Sequence, residues 1–343
     1  MKVLISRMKN IINQIRYYRK KYGIRKTIKK ILSKTYSKIF RREEIAKAQS
    51  EREKYQIWIQ NNEPNAEQLE EQRKTKFKIM PKFSVVVPMY NTPVNFFEEL
   101  VDCLKAQTYS NWELCLADGS PTKNEELQKI INSDKRIKYH FINENKGISG
   151  NSNEALKLVT GDYILLVDHD DLLPVFCLYE LAKTINKNPD VEFIYTDEDK
   201  IEGTKDKRCD PHFKPDFAID TLRSNNYITH LSVFKKELMD KLGGFRDKYN
   251  GAQDFDIIIR ATENTKHIIH IPKVLYHWRV HANSTAMVAD AKPYAYEAGI
   301  KVIEDHLARC NLKAKVTHGG DIPGVYEVEY EVKGNPKVSI LIP

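Results

Sequence analysis

Tyr163 to Asp171 reads YILLVDHDD, five strand-forming residues followed directly by three carboxylates and a histidine. An unbroken run of Tyr, Ile, Leu and Val favours a strand buried on both faces, as in a parallel sheet covered by helices. Ligands of such sheets bind at the carboxyl ends of the strands. Asp168, Asp170 and Asp171 crowd that end, where mutual repulsion raises their pKa values unless a cation or solvent relieves it. Oxygen ligands of this kind suit Mg²⁺ or Mn²⁺. The alternative is a capping cluster before a helix that starts near Pro174.

Two further strands flank this one in sequence. Pro81 to Asn91, PKFSVVVPMYN, ends in a proline-containing turn, and Asn111 to Ser120, NWELCLADGS, ends in an acid and a glycine. Between them Phe96, Phe97, Leu100, Val101 and Leu104 recur at helical spacing, so the stretch is a β-α-β unit. Asn143 to Leu158, NENKGISGNSNEALKL, is a polar, glycine-containing approach to another helix and leads into the acidic strand. Further on, GAQDFDIIIRA starts a helix near Gln253 that carries Asp254 and Asp256 on different faces. One could face a cleft while Asp256 caps the helix or pairs with Arg260, and both could equally be first-turn acids favoured by the helix dipole. Val274 to Ala286, VLYHWRVHANSTA, reads as a strand running into a polar loop.

The order PMYN, LADGS, NKGISGNSNEAL, GDYILLVDHDD, GGF and GAQDFD resembles the family 2 glycosyltransferases, over roughly Pro81 to Ala286. The resemblance implies an α/β GT-A (nucleotide-diphospho-sugar transferase) fold, with a mixed, mostly parallel sheet flanked by helices. It also implies an inverting transferase that takes a sugar from a UDP-, GDP- or dTDP-linked donor with the help of Mn²⁺ or Mg²⁺. Carried over residue by residue, Asp168 faces the ribose or the metal and Asp170 is a direct metal ligand. Asp118 contacts the nucleoside, Pro88 and Tyr90 line the base pocket, and Asp254 is the general base. His281, ahead of His277, is a metal ligand or phosphate contact, or else a hydrogen-bonded structural histidine. Arg279 suits the diphosphate by its forked donors, or forms a surface ion pair. Two positions depart from the family pattern: Ala117 stands where an acid is usual, and Ser152 where an arginine is common.

The chemistry asks for these residue types. Charge grows on the departing diphosphate as the glycosidic bond breaks, and a divalent ion stabilises it directly. The attacking hydroxyl must lose a proton near the transition state, which calls for a carboxylate base. Two acidic or irregular stretches stay open. Thr196 to Lys200, TDEDK, follows the apolar VEFIY and either lines a binding site or is a solvated loop. Asp210 to Tyr227 is poorly periodic, as lids and acceptor loops often are.

Charge is distributed very unevenly. Fifteen of the 55 Lys and Arg residues, and none of the 47 Asp and Glu, precede Glu43, so the net +8 belongs entirely to the N-terminal arm. Val3, Leu4, Met8, Ile11, Ile12 and Ile15 recur there at helical spacing. A basic amphipathic helix over residues 1–42 fits an anionic membrane surface, a partner helix or packing on the enzyme, and no nucleic-acid motif accompanies it. No run approaches a membrane span, and the five cysteines show no metal-binding spacing. The expected location is cytoplasmic, peripheral at the inner face of the cell membrane, with a cell-surface polysaccharide or lipid-linked oligosaccharide as acceptor.

The expected organisation is a basic helical extension and linker over 1–78, a catalytic domain over 79–332, and a final segment over 333–343. Pro336 to Pro343, PKVSILIP, repeats Pro81 to Pro88, PKFSVVVP, as the first strand of a second such domain would, or as a terminal edge strand of like composition would. Rival readings are a catalytically silent binding module of a two-domain enzyme and a nucleotidyltransferase. The latter's Gly-rich, basic phosphate loop is not found after the first strand, where PMYNTP stands.

Overall fold

A computed structural model describes residues 49–280, 293–320 and 322–342. The chain divides into two compact units, Met1–Glu63 and Pro64–Pro343. The described part of the first is a helix over residues 49–62. The expected amphipathic helix over 1–42 lies outside the described residues.

The second unit opens with α1 (Ala66–Lys74), set by a capping box between Asn65 and Gln68. Arg73 donates to the carbonyls of Ala106 and Gln107, and Thr108 donates to Gln72 at 2.8 Å. The compact unit begins at Pro64, with α1 bonded to the loop that follows the first helix of the sheet.

Alternating strands and helices follow: β1 (Phe83–Met89), α2 (Val94–Lys105), β2 (Trp112–Asp118), α3 (Glu125–Ile131), β3 (Ile137–Phe141), α4 (Gly147–Leu156), β4 (Tyr163–Leu166) and α5 (Cys177–Lys187). Then come β5 (Phe193–Glu202), β6 (Arg208–His212), α6 (Ile219–Ser224), β7 (Ser232–Lys235), α7 (Lys236–Leu242), α8 (Gln253–Asn264) and β8 (Ile268–Val280). The strands form one sheet in the order β3-β2-β1-β4-β7-β5-β6, with β8 beside β5. β3, β2, β1 and β4 are mutually parallel, β7 runs antiparallel to both β4 and β5, and β5 pairs in parallel with β8. One reversed strand thus leaves β1, β2, β4, β5 and β8 ending at the same edge.

Strand period decides the layering. Val85, Val87, Leu114, Leu116 and Leu165 face one core with α2 and α5, while Val86, Cys115, Ala117 and Ile164 face the other with α7, α8 and α9 (Pro293–Arg309). The fold is therefore three-layered, helices over both faces of a mostly parallel sheet, as the apolar run at Tyr163 implies. β9 (Ala314–His318) and β10 (Tyr326–Tyr330) form a separate antiparallel pair. Residues 333–342 hold no regular structure.

TDEDK is neither loop nor surface. It lies inside β5, with Asp197, Glu198 and Asp199 all buried. Each acid has a basic partner from a distant segment: His270 for Asp197, Lys214 and His230 for Glu198, Arg208 and His277 for Asp199.

A comparable buried acid ties the other half of the sheet together. Glu113, 1% exposed on β2, accepts from Ser84 on β1, Lys138 on β3, and the Thr160 amide before β4, and it pairs with Lys82. Burial pushes its carboxyl up, but the bonds from Lys82, Thr160, Ser84 and Lys138 outweigh that and hold it well below the usual range. Glu113→Ala is expected to cost about 2 kcal/mol at neutral pH, since Ser84 and Thr160 lose their buried acceptor while the lysines still reach water. A depressed folded pKa gives stability that is full above the unfolded value of about 4.3 and lost as pH falls through the folded one. Urea unfolding of wild type and variant should therefore differ most above that pH and converge below it.

Candidate active site

The edge where β1, β2, β4 and β5 end gathers the expected site residues of the acidic strand. Beyond β4 the chain turns at once, the Asp171 amide bonding to the Asp168 carbonyl at 3.3 Å. Asp171 is buried in that turn, where its carboxylate accepts from the Arg279 amide at 2.7 Å and the Tyr276 hydroxyl at 2.5 Å. Tyr276 in turn accepts from the Asp168 amide. Burial, then the charges of Asp168 and Asp170, drive the Asp171 carboxyl well above its ordinary value. Burial leads that shift, and repulsion from the neighbouring acids adds to it.

His230 stands opposite, just before β7. One ligand atom each from Asp168, Asp171 and His230 lies within 4.8 Å of the others, a spacing that fits a cation held by two carboxylates and an imidazole. Burial opposes a charge on His230, but the Glu198 hydrogen bond and the charges of Glu198, Asp168 and Asp171 outweigh it and raise the imidazole to about 9.

Asp168 and His230 line a cleft of about 690 Å³ together with Pro88, Ile148, Asp254 and Trp278. Among the described lining residues the one basic side chain is His230. Ser152 also lines it, its hydroxyl turned back to the Ile148 carbonyl at 2.7 Å. Asp254 enters from the first turn of α8, its carboxylate accepting from the Asn226 amide at 3.0 Å. Burial outweighs the opposing His230 charge and Phe255 amide, so its carboxyl stands above its usual value. A carboxylate raised in this way is a stronger base.

Asp256 takes the other direction open to it. It is fully buried and held by Arg246 and by Arg260, whose Nε approaches at 3.0 Å. Arg260 also donates to the carbonyls of Leu242 and Gly244, which fixes the start of α8 against the GGF loop. Gly244, at φ +76°, leaves room there for the Asn153 amide oxygen, which a Cβ would meet at 2.5 Å.

The remaining expected site residues fall in different places. Asp118 is buried at the end of β2, accepting from the Ser120 amide and the Tyr139 hydroxyl, both at 2.9 Å. Tyr90 is exposed just beyond β1, and neither it nor Asp118 belongs to the lining of this cleft. Asp170 shares the acidic turn, its carbonyl accepting from Arg279 Nε at 2.6 Å. Arg279 is buried against Phe96 and paired with Glu99 at 2.5 Å, so its guanidinium braces the turn from behind rather than lining the cleft. His277 bonds Asp199 at 2.5 Å. His281 lies outside the described residues. His230, between Thr229 and Leu231, carries no local sequence signal, and Asp171 stands out in the sequence only as part of the acidic triplet.

Parts of the chain and its fold resemble known proteins. The model of the family described as glycosyl transferase family 2 matches residues 84–243. An uncharacterised protein, y4gI of Sinorhizobium fredii, is 44% identical over 269 residues, covering 77% of this chain and 29% of its own length. The O-antigen biosynthesis protein RfbC of Myxococcus xanthus is 30% identical over 292 residues, 84% of this chain and 23% of its own. The chain thus spans less than a third of either relative. Among solved structures, S. aureus TarS 1-349 in complex with UDP-GlcNAc superposes with a TM-score of 0.56 at 20% identity, over 68% of each chain. The fold is accordingly GT-A. No described helix is long and apolar enough to cross a membrane.

Proposed function

We propose that the chain, whose residues 84–243 match the glycosyl transferase family 2 model, moves a sugar, with inversion, from a nucleoside-diphosphate donor to a hydroxyl of a cell-surface glycan or lipid-linked oligosaccharide. The observation that carries the reading is the shared cleft, which Asp168, His230 and Asp254 all line. Asp168, Asp171 and His230 would hold a divalent cation, Mn²⁺ or Mg²⁺, which would offset the charge gathering on the departing diphosphate.

The chain's own residues supply the rest. Asp254, oriented by Asn226, takes the proton of the acceptor hydroxyl as its oxygen bonds to the anomeric carbon and the bond to the diphosphate oxygen breaks. Attack opposite the leaving group inverts the centre, and no carboxylate forms a covalent intermediate. Pro88 at the end of β1 supports a base pocket on the nucleotide side, with Asp118 and Tyr90 at the same edge. The names of the relatives, O-antigen biosynthesis and chondroitin synthase among them, support a polysaccharide acceptor. Residues 1–42, with their uninterrupted positive charge, would hold the enzyme at an anionic membrane where such acceptors are assembled.

Calorimetric titration with UDP, GDP and dTDP, with and without Mn²⁺, tests the donor site. One nucleotide should bind, and more tightly with metal. Binding of none, or binding indifferent to metal, would contradict it.

A further inference from the structure

We infer that Glu198, buried on β5, is a positioning residue that fixes the His230 imidazole toward Asp168 and Asp171, with Lys214 as its anchor. This rests on the reading of Asp168, Asp171 and His230 as the ligands of a divalent cation.

The contacts run in one direction. Glu198 Oε2 meets His230 Nδ1 at 3.0 Å and accepts from the His230 amide at 3.2 Å. Thr229 Oγ1 donates to both carboxylate oxygens, at 3.0 and 3.1 Å. Side chain and backbone of the same loop are thus bound to one carboxylate. With Nδ1 engaged, the nitrogen left to face the acidic turn is Nε2. The partner of one ring nitrogen selects which nitrogen meets a metal, and a carboxylate partner also raises the basicity of the imidazole.

The ring is held on its face as well. It stacks on Tyr276 with centroids 4.5 Å apart and planes 9° from parallel, and Trp278 stands 5.7 Å away. Tyr276 is the same residue whose hydroxyl bridges the Asp168 amide and the Asp171 carboxylate. One side chain therefore sets the distance between the imidazole and both acids, and Glu198 sets its rotation.

Lys214 completes the device. Its side chain is fully buried, 3.5 Å from Glu198, and its ammonium donates to the carbonyls of Ile228, at 2.6 Å, and His230. His212 adds a further contact to Glu198 at 3.4 Å. A buried ion pair adds little stability over apolar residues of the same volume. What this one does is immobilise a carboxylate and the 228–230 backbone together, which is what a histidine ligand arriving from outside the acidic turn requires.

The competing account is that Glu198 only neutralises Lys214, and metal binding separates the two. Mn²⁺ is titrated into the full chain and followed by the electron paramagnetic resonance of free Mn²⁺, with thermal melting as the check on folding. Wild type should bind, Asp168→Asn should bind only at far higher Mn²⁺, and Glu198→Gln should bind about 10 to 100 times more weakly than wild type, the usual loss for a partner of a metal-bound histidine. The pulsed-resonance nitrogen coupling of bound Mn²⁺ should be present in wild type and absent in His230→Gln. Should Glu198→Gln fail to fold with Lys214 left unpaired, the double variant Glu198→Gln/Lys214→Met removes both charges and should show the same weakening. A folded variant with unchanged Mn²⁺ affinity overturns the role of Glu198 while leaving the metal site in place. A wild-type chain that binds no Mn²⁺ overturns the metal reading itself, and this inference with it.

Discussion

Asp254→Asn should lower kcat by about 10²- to 10⁴-fold, the range for removal of a general base, while donor and Mn²⁺ binding stay close to wild type. The amide is isosteric and keeps the contact with Asn226 at the mouth of α8, so the cleft should hold its shape. Loss confined to kcat is the signature of a group that acts in the transition state. Asp256 is no substitute two residues on, because it is fully buried and paired with Arg246 and Arg260, away from the cleft lining. Steady-state kinetics over a range of donor concentrations, read beside nucleotide titrations, measures both terms. Equal loss in kcat and in donor affinity would place Asp254 in donor binding instead.

Asp168→Asn should act through the metal instead. It removes the carboxylate that faces Asp171 and His230, and kcat/KM should fall about 10²- to 10³-fold, as when one preorganised stabiliser of a leaving charge is lost. Metal-dependent nucleotide binding should fall with it, whereas Asp254→Asn leaves that binding intact. Extra metal should recover part of the activity of Asp168→Asn and none of that of Asp254→Asn. Activity of Asp168→Asn near wild type at every metal concentration would remove this carboxylate from the site.

Sequence patterns reached some of this arrangement and missed other parts for physical reasons. The apolar run before Asp168 implies a strand covered on both faces, and β4 lies between two cores. The two helical directions of Asp254 and Asp256 were legible from spacing alone, and the structure turns one to the cleft and the other to Arg260. TDEDK resisted because three consecutive charges imply solvent unless each finds a partner. Those partners, Lys214, His230, His270 and His277 among them, come from segments far along the chain that only the sheet order assembles. His230 was hidden for the same reason: β7 reverses between β4 and β5, and no local period reports which strands become neighbours. Arg279 has the forked donors a diphosphate needs, yet the acidic turn and Glu99 take them up.

The most direct test of the account is release of nucleoside diphosphate from a panel of UDP-, GDP- and dTDP-sugars by the full chain, with glycan and lipid-linked acceptors, in Mn²⁺ or Mg²⁺ and again in excess chelator. The account predicts turnover of one donor class with metal present, and its collapse when the metal is removed. Turnover that survives the chelator, or no release from any donor with any acceptor, would contradict it.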